Sequence, residues 1–287
     1  MRKATVRLKR KHPVLRVFLT IIAIFLAVFL LLEIGVFALH YKEPYTPDYK
    51  KENISAVLSK EVLTDEDYTL LFEQTGLTKI GIDSLISAGR SEDILKIQED
   101  FFAKYEIKKI QFSPITCCHE NYEEIETVPL ENGDVIISPT SHFSFYEIGH
   151  SAIVVDAAEG KVINATGYNN KSCYEDISAI TIDPSFIILR PKADKAKREQ
   201  IAEYVEAELF DLHYSISVGV LYPKFSEKPL ATNCSHLIWH AFKNFGIDID
   251  ANGGKTVFPM DFATSEHLEI VQIRGIDPAS LGIENKK

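Results

Sequence analysis

The sequence predicts an α+β fold with a small antiparallel sheet, preceded by one transmembrane helix. Three observations carry that expectation. Residues 17–39 form an apolar run of 23 positions broken only by Thr20, Glu33 and two small residues. From about residue 107, short β-type runs follow a helical lead-in of roughly 45 residues, and strands followed by mixed helices are the α+β pattern. Near the end, Cys234, Leu237, Ile238, Ala241, Phe242 and Phe245 recur at the spacing of one helix face.

The first run is long enough, at ~1.5 Å per residue, to cross a ~30 Å hydrocarbon layer. Arg2, Lys3, Arg7, Lys9, Arg10, Lys11 and Arg16 precede it with no acid among them. The positive-inside rule then keeps the amino terminus in the cytoplasm and the rest outside. A cleaved signal peptide is the competing reading, but its apolar region usually spans only ~7–15 residues, so an uncleaved single-pass anchor is expected. The expected organisation is a basic cytoplasmic tail (1–16), the anchor (17–39), a juxtamembrane spacer and helical lead-in (40–125), the main α+β domain (126–275) and a loose tail (276–287).

Those first 16 residues hold seven of the 31 Lys and Arg and none of the 41 Asp and Glu, so the external part is strongly acidic. Such a surface argues against nucleic acid as a partner. No CxxC spacing or paired histidines support zinc, and no metal or cofactor is implied. Cys117, Cys118 and Cys173 read as structural or incidental cysteines.

In chain order, Thr64 followed by Asp65, Glu66 and Asp67 reads as an N-cap opening a helix that runs to Gly76. Short helices are expected at 82–88 and 94–105. Asn132-Gly133-Asp134 is a turn feeding a strand at 135–137; further strands are expected at 150–155, 162–165 and 186–189. A charged amphipathic helix covers 194–209, and a last strand 268–273.

The helix beginning at Cys234 organises the chemistry. Thr232 and Asn233 are N-cap types and Gly246 follows as a C′ glycine, so the cysteine lies in the first turn of a capped helix. Unpaired N–H groups and the dipole there favour a thiolate and lower a thiol pKa from its usual ~8.5. Against this stands the tendency of a lone cysteine to be packing. A base is needed, and His236 and His240 lie ~200° and ~240° around the helix from Cys234. His150 begins a β-branched strand and shares a face with Ala152 and Val154, small companions that leave room for a helix. Asn164, given a five-residue loop after residue 155, comes opposite Ala152 and shares that face; a four-residue loop turns it away.

On Gly133-Asp134-Val135-Ile136-Ile137, Gly149-His150-Ser151-Ala152-Ile153-Val154-Val155, Val162-Ile163-Asn164-Ala165, Asn233-Cys234-Ser235-His236-Leu237 and Pro259-Met260-Asp261, the chain resembles the permuted branch of the NlpC-type papain-like cysteine peptidases, the YaeF/YiiX-like group. The resemblance covers about residues 130–273. It implies a papain-like sheet packed on the Cys-bearing helix, with Cys234 as nucleophile, His150 as base and Asn164 as third member. Glu is the usual third residue, so Asn164 is a departure. The oxyanion donors implied are the Cys234 N–H and a second group, for which Tyr214 and Tyr222 are candidates.

The expected function is a membrane-anchored hydrolase cutting amide bonds outside the cell, in cell-wall peptides. An alternative is lipid acyl transfer or hydrolysis of the lecithin-retinol acyltransferase type, with Phe143-Ser144-Phe145-Tyr146 suiting an acyl groove. A third is an inactive binding module on the same fold. The expected partner is a peptide or acyl substrate outside the membrane.

Overall fold

The structure, a computed structural model, describes residues 13–40, 44–105, 115–117, 125–139, 141–143, 146–167 and 169–283. The basic tail before residue 13, Cys118, His119 and the 284–287 terminus lie outside them, as do the side chains of Cys117 and the aromatic segment 143–146. The chain divides into two compact units, Met1–Lys42 and Glu43–Lys287. The first holds α1 (Pro13–His40), of which Pro13–Gly35 is long and apolar enough to cross a membrane, a property that an anchor and a signal sequence share.

The second unit opens with α2 (Ser55–Leu58), α3 (Asp65–Thr75), α4 (Lys79–Ser87) and α5 (Asp93–Phe102). Thr64 is the N-cap expected, and with Asp67 it forms a capping box: Thr64 Oγ1 accepts from Asp67 N, and Asp67 Oδ2 from Thr64 N. Gly76 closes α3 at φ +70°, and a Cβ there would stand 2.3 Å from the Ile273 carbonyl oxygen, so only glycine lets the turn dock this closely. In α5, Ile94, Ile97, Gln98 and Phe101 are buried at the i, i+3, i+4, i+7 spacing.

Next come β1 (Ile115–Cys117), β2 (Val135–Ser138), β3 (Ser141–Phe143), β4 (Tyr146–Glu147), β5 (His150–Asp156), β6 (Lys161–Asn164), β7 (Cys173–Asp176), α6 (Ser178–Thr181) and β8 (Phe186–Pro191). After α7 (Lys195–Glu208), β9 (His213–Tyr214) and β10 (Ala231–Thr232) lead into α8 (Cys234–Asn244), followed by α9 (Pro259–Ala263) and β11 (Leu268–Arg274). Six strands form an antiparallel sheet in the order β11-β8-β2-β5-β6-β7.

Both faces of that sheet are covered. Val135, Ile137, Ile153, Ile163 and Ile187 pack with α7 and α8 through Ile201, Val205, Leu237, Ile238 and Phe242. The alternate residues Ile136, Ala152, Val154, Val162 and Ile188 pack with the lead-in helices through Leu71, Ile82, Leu85, Ile94 and Ile97. At ~1.5–3 kcal/mol per buried aliphatic side chain, each face is a substantial core. The lead-in helices therefore form a second layer on the sheet, packed on the strands that follow them. The segment after Gly275, expected to be loose, carries a 3-10 helix at Pro278–Leu281, and Leu281 and Ile283 pack on the α7/α8 core. Ile276, Leu281 and Ile283 hold it against that core.

Candidate active site

Asn233 caps α8, its Oδ1 accepting from His236 N at 2.8 Å, and puts Cys234 at the first helical position. The Cys234 side chain is 9% exposed and lines a cavity of about 250 Å³ with Ile148, Gly149, Tyr214, Ile216, Val257, Phe258 and Pro259. Gly149, at φ +66°, makes this floor possible: a Cβ would lie 3.0 Å from Ser138 O and 3.4 Å from Pro259 Cβ. Two of the cavity's apolar lining residues, Ile216 and Phe258, are exposed to solvent.

Helix α8 packs on the Ser151, Ile153, Val155 face of β5, not on the His150, Ala152, Val154 face that the small side chains suggested. The lead-in helices occupy that other face. The thiol accordingly faces the N–H and hydroxyl of Ser151, the residue after His150, and the N–H and hydroxyl of Ser235. Ser151 Oγ is buried and, in strict hydrogen-bond geometry, unpartnered, so its interaction with the sulfur is long or bent. Burial pushes the Cys234 thiol above its ordinary pKa, and these donors only partly offset it. The helix terminus by itself does not make a resting thiolate here, because desolvation is the larger effect.

His150 is partly buried and opens β5 opposite Ser138. Burial lowers its pKa to about 4, so its ring is neutral at pH 7 and able to accept a proton. No hydrogen bond joins the ring to Cys234 or Asn164 among the described residues, and His150 is not among the residues that line the cavity.

Asn164 is fully buried at the end of β6. Ile153 pairs with Ile163 and, past a bulge between Val154 and Asp156, Asp156 pairs with Lys161. Continued one step, this register brings Asn164 opposite Ala152. The hairpin loop has four residues, yet Asn164 keeps the face expected for five, because the extra bulge residue restores the alternation. Its Nδ2 donates to Glu175 Oε2 at 2.8 Å, while Oδ1 is buried without a partner.

Tyr214 lines the cavity, whereas Tyr222 stands on the outer loop and is not a lining residue. Burial and the neighbouring Cys234 charge push the Tyr214 phenol up to about 12, so it remains a donor at any working pH. Sequence reasoning missed Ser151 and Glu175. A serine inside an otherwise apolar strand was a legible signal for the first; nothing local marked the second.

His236 and His240 face away from the thiol as their angles require, and they strap the 224–226 loop to α8. Since a carbonyl only accepts, His236 Nε2 donates to Lys224 O at 2.8 Å and Nδ1 accepts from Thr232 Oγ1 at 3.0 Å; His240 Nε2 donates to Ser226 O. Burial lowers His236 to about 4 against ~6.5 when unfolded. The unfolded chain then binds the extra proton between those values, so this stability is complete above pH ~6.5 and is lost as pH falls toward 4, by ~3 kcal/mol. Urea unfolding at pH 7 and 4.5 is expected to show the loss. His236→Gln is expected to reduce that pH dependence without removing it, since His150 and His240 shift the same way; an unchanged slope would refute the assignment.

A scan against protein-family models and a search of curated proteins find no match for this chain.

Proposed function

We propose that this chain is a membrane-anchored extracytoplasmic cysteine hydrolase of the permuted papain-like, NlpC type, acting through a thioester on Cys234. The observation that carries the reading is a cysteine in the first turn of a capped helix, lining a cavity, with its helix packed on the strand that a neutral histidine opens. His150 takes the thiol proton as Sγ attacks the acyl carbon. The resulting oxyanion is met by the Cys234 N–H and the Tyr214 hydroxyl. The proton passes from His150 to the departing amine, leaving an acyl thioester. Water, giving a proton to His150, then releases the acid and restores the thiol. Asn164 accepts from the other imidazole nitrogen and holds the tautomer.

The basic residues before the apolar helix support, by the positive-inside rule, an external location for the second unit, where cell-wall peptides are the amide-rich polymer within reach. A lipid acyl substrate is the second reading, favoured by the apolar cavity with Ile216 and Phe258 exposed along it. The test offers detergent-solubilised full-length protein short wall-type peptides and phospholipid esters side by side, and reads acyl adducts on Cys234 by mass spectrometry. A hydroxylamine-sensitive adduct from the peptide supports the amidase, and one from the lipid alone supports the second reading. No adduct from either under conditions where the thiol is reduced rejects thioester chemistry on these two substrate classes.

A further inference from the structure

An asparagine amide can turn over and exchange its oxygen and nitrogen with almost no change of shape, so a site that needs the oxygen on one side has to enforce it. At Asn164 a carboxylate does so. Glu175 accepts only; at 2.8 Å it holds Nδ2 and would repel Oδ1. β6 lies between β5 and β7, and Glu175 belongs to β7. The nitrogen drawn toward β7 leaves the oxygen turned to the β5 side, where Asn164 stands across from Ala152, two residues from His150. That oxygen is buried with no donor to satisfy it, an uncompensated desolvation until an N–H arrives.

We infer that Glu175 is a positioning residue: its carboxylate locks the Asn164 amide so that Oδ1 is presented to the His150 ring, directing the other ring nitrogen to the Cys234 proton. The inference rests on the reading of Cys234, His150 and Asn164 given above. Glu175 touches neither thiol nor substrate and acts through the amide alone. It also returns a carboxylate to the third position at one remove, where this sequence carries Asn instead of Glu.

The experiment follows alkylation of Cys234 by iodoacetamide from pH 5 to 10 in the full-length protein in detergent micelles. Mass spectrometry of the Cys234 peptide separates it from Cys117, Cys118 and Cys173. In the wild type, reaction below pH ~7.5 is expected to depend on His150 and to vanish in His150→Ala. Glu175→Gln, whose amide can hold Asn164 in either orientation, is expected to slow that low-pH reaction about tenfold. Glu175→Asp is expected to recover most of it. Asn164→Ala is expected to slow it as much, and Glu175→Gln added to Asn164→Ala to cost nothing further. A rate unchanged in Glu175→Gln, alongside loss in His150→Ala, overturns the role of Glu175 and leaves the hydrolase intact. A wild-type rate indifferent to His150 overturns both. Equal slowing by Glu175→Gln with and without Asn164, or slowing that tracks a lowered melting temperature and is not recovered by Asp, makes Glu175 merely structural and likewise overturns the inference.

Discussion

Cys234→Ala is expected to bring turnover of the substrate identified by adduct formation down on the order of 10⁴-fold or more, with the fold retained. The thiol is the group proposed to form the covalent bond, and what remains after its loss is binding and oxyanion stabilisation alone. The change removes one heavy atom from the cavity floor, so the melting temperature is expected to move by no more than a few degrees. His150→Ala is expected to cost roughly 10³-fold, and the double variant no more than Cys234→Ala, because the two act as a unit. The pH dependence follows from the directions found. With His150 lowered to about 4 and the thiol raised by burial, the base is available from pH ~5 upward. In His150→Ala the reaction is expected only at alkaline pH, where the thiol ionises unaided. Turnover in Cys234→Ala within a few-fold of wild type would end the nucleophile assignment.

Arg190→Ala is expected to destabilise the second unit by ~3–5 kcal/mol, the cost of leaving a buried charge without its partner. Asp134 is wholly buried and accepts from Arg190 Nε at 3.0 Å and from Nη2 at 2.7 Å. Arg190 also donates to Pro129 O and pairs with Glu131. Burial pushes the Asp134 carboxyl up and Arg190 pulls it back; without the guanidinium the hydrogen bond from Glu131 N is what still opposes the upward push. The penalty is therefore expected to shrink as pH falls and Asp134 takes up a proton. Urea unfolding at pH 7 and pH 5 tests both parts. A loss below ~1 kcal/mol, or one independent of pH, would show that the pair does not hold the sheet. The consequence reaches the site, because the Asp134 carbonyl accepts from Val154 N and helps set β2 against β5, the strand that begins at His150.

Much of the architecture was legible because it is local. Thr64 with Asp67 announced α3, Asn233 announced α8, and runs of β-branched residues marked β2, β5, β8 and β11. β7 escaped because Cys173-Tyr174-Glu175-Asp176 is a half-exposed edge strand with no apolar alternation. Within the site, Cys234 could be placed in its turn and His150 at its strand end, but not the relation between them.

Periodicity and capping belong to the chain itself: a thiol in the first turn of a capped helix, a histidine opening a strand and an apolar helix before both follow from neighbours a few residues away. Packing decided the rest. Which sheet face receives α8 depended on the lead-in helices claiming the other. The face of Asn164 depended on a bulge, and its amide orientation on a carboxylate eleven residues on. The thiol's pKa was set by burial, which outweighs the helix terminus because desolvation sums over every surrounding group, whereas the terminus contributes only the few N–H groups of one turn.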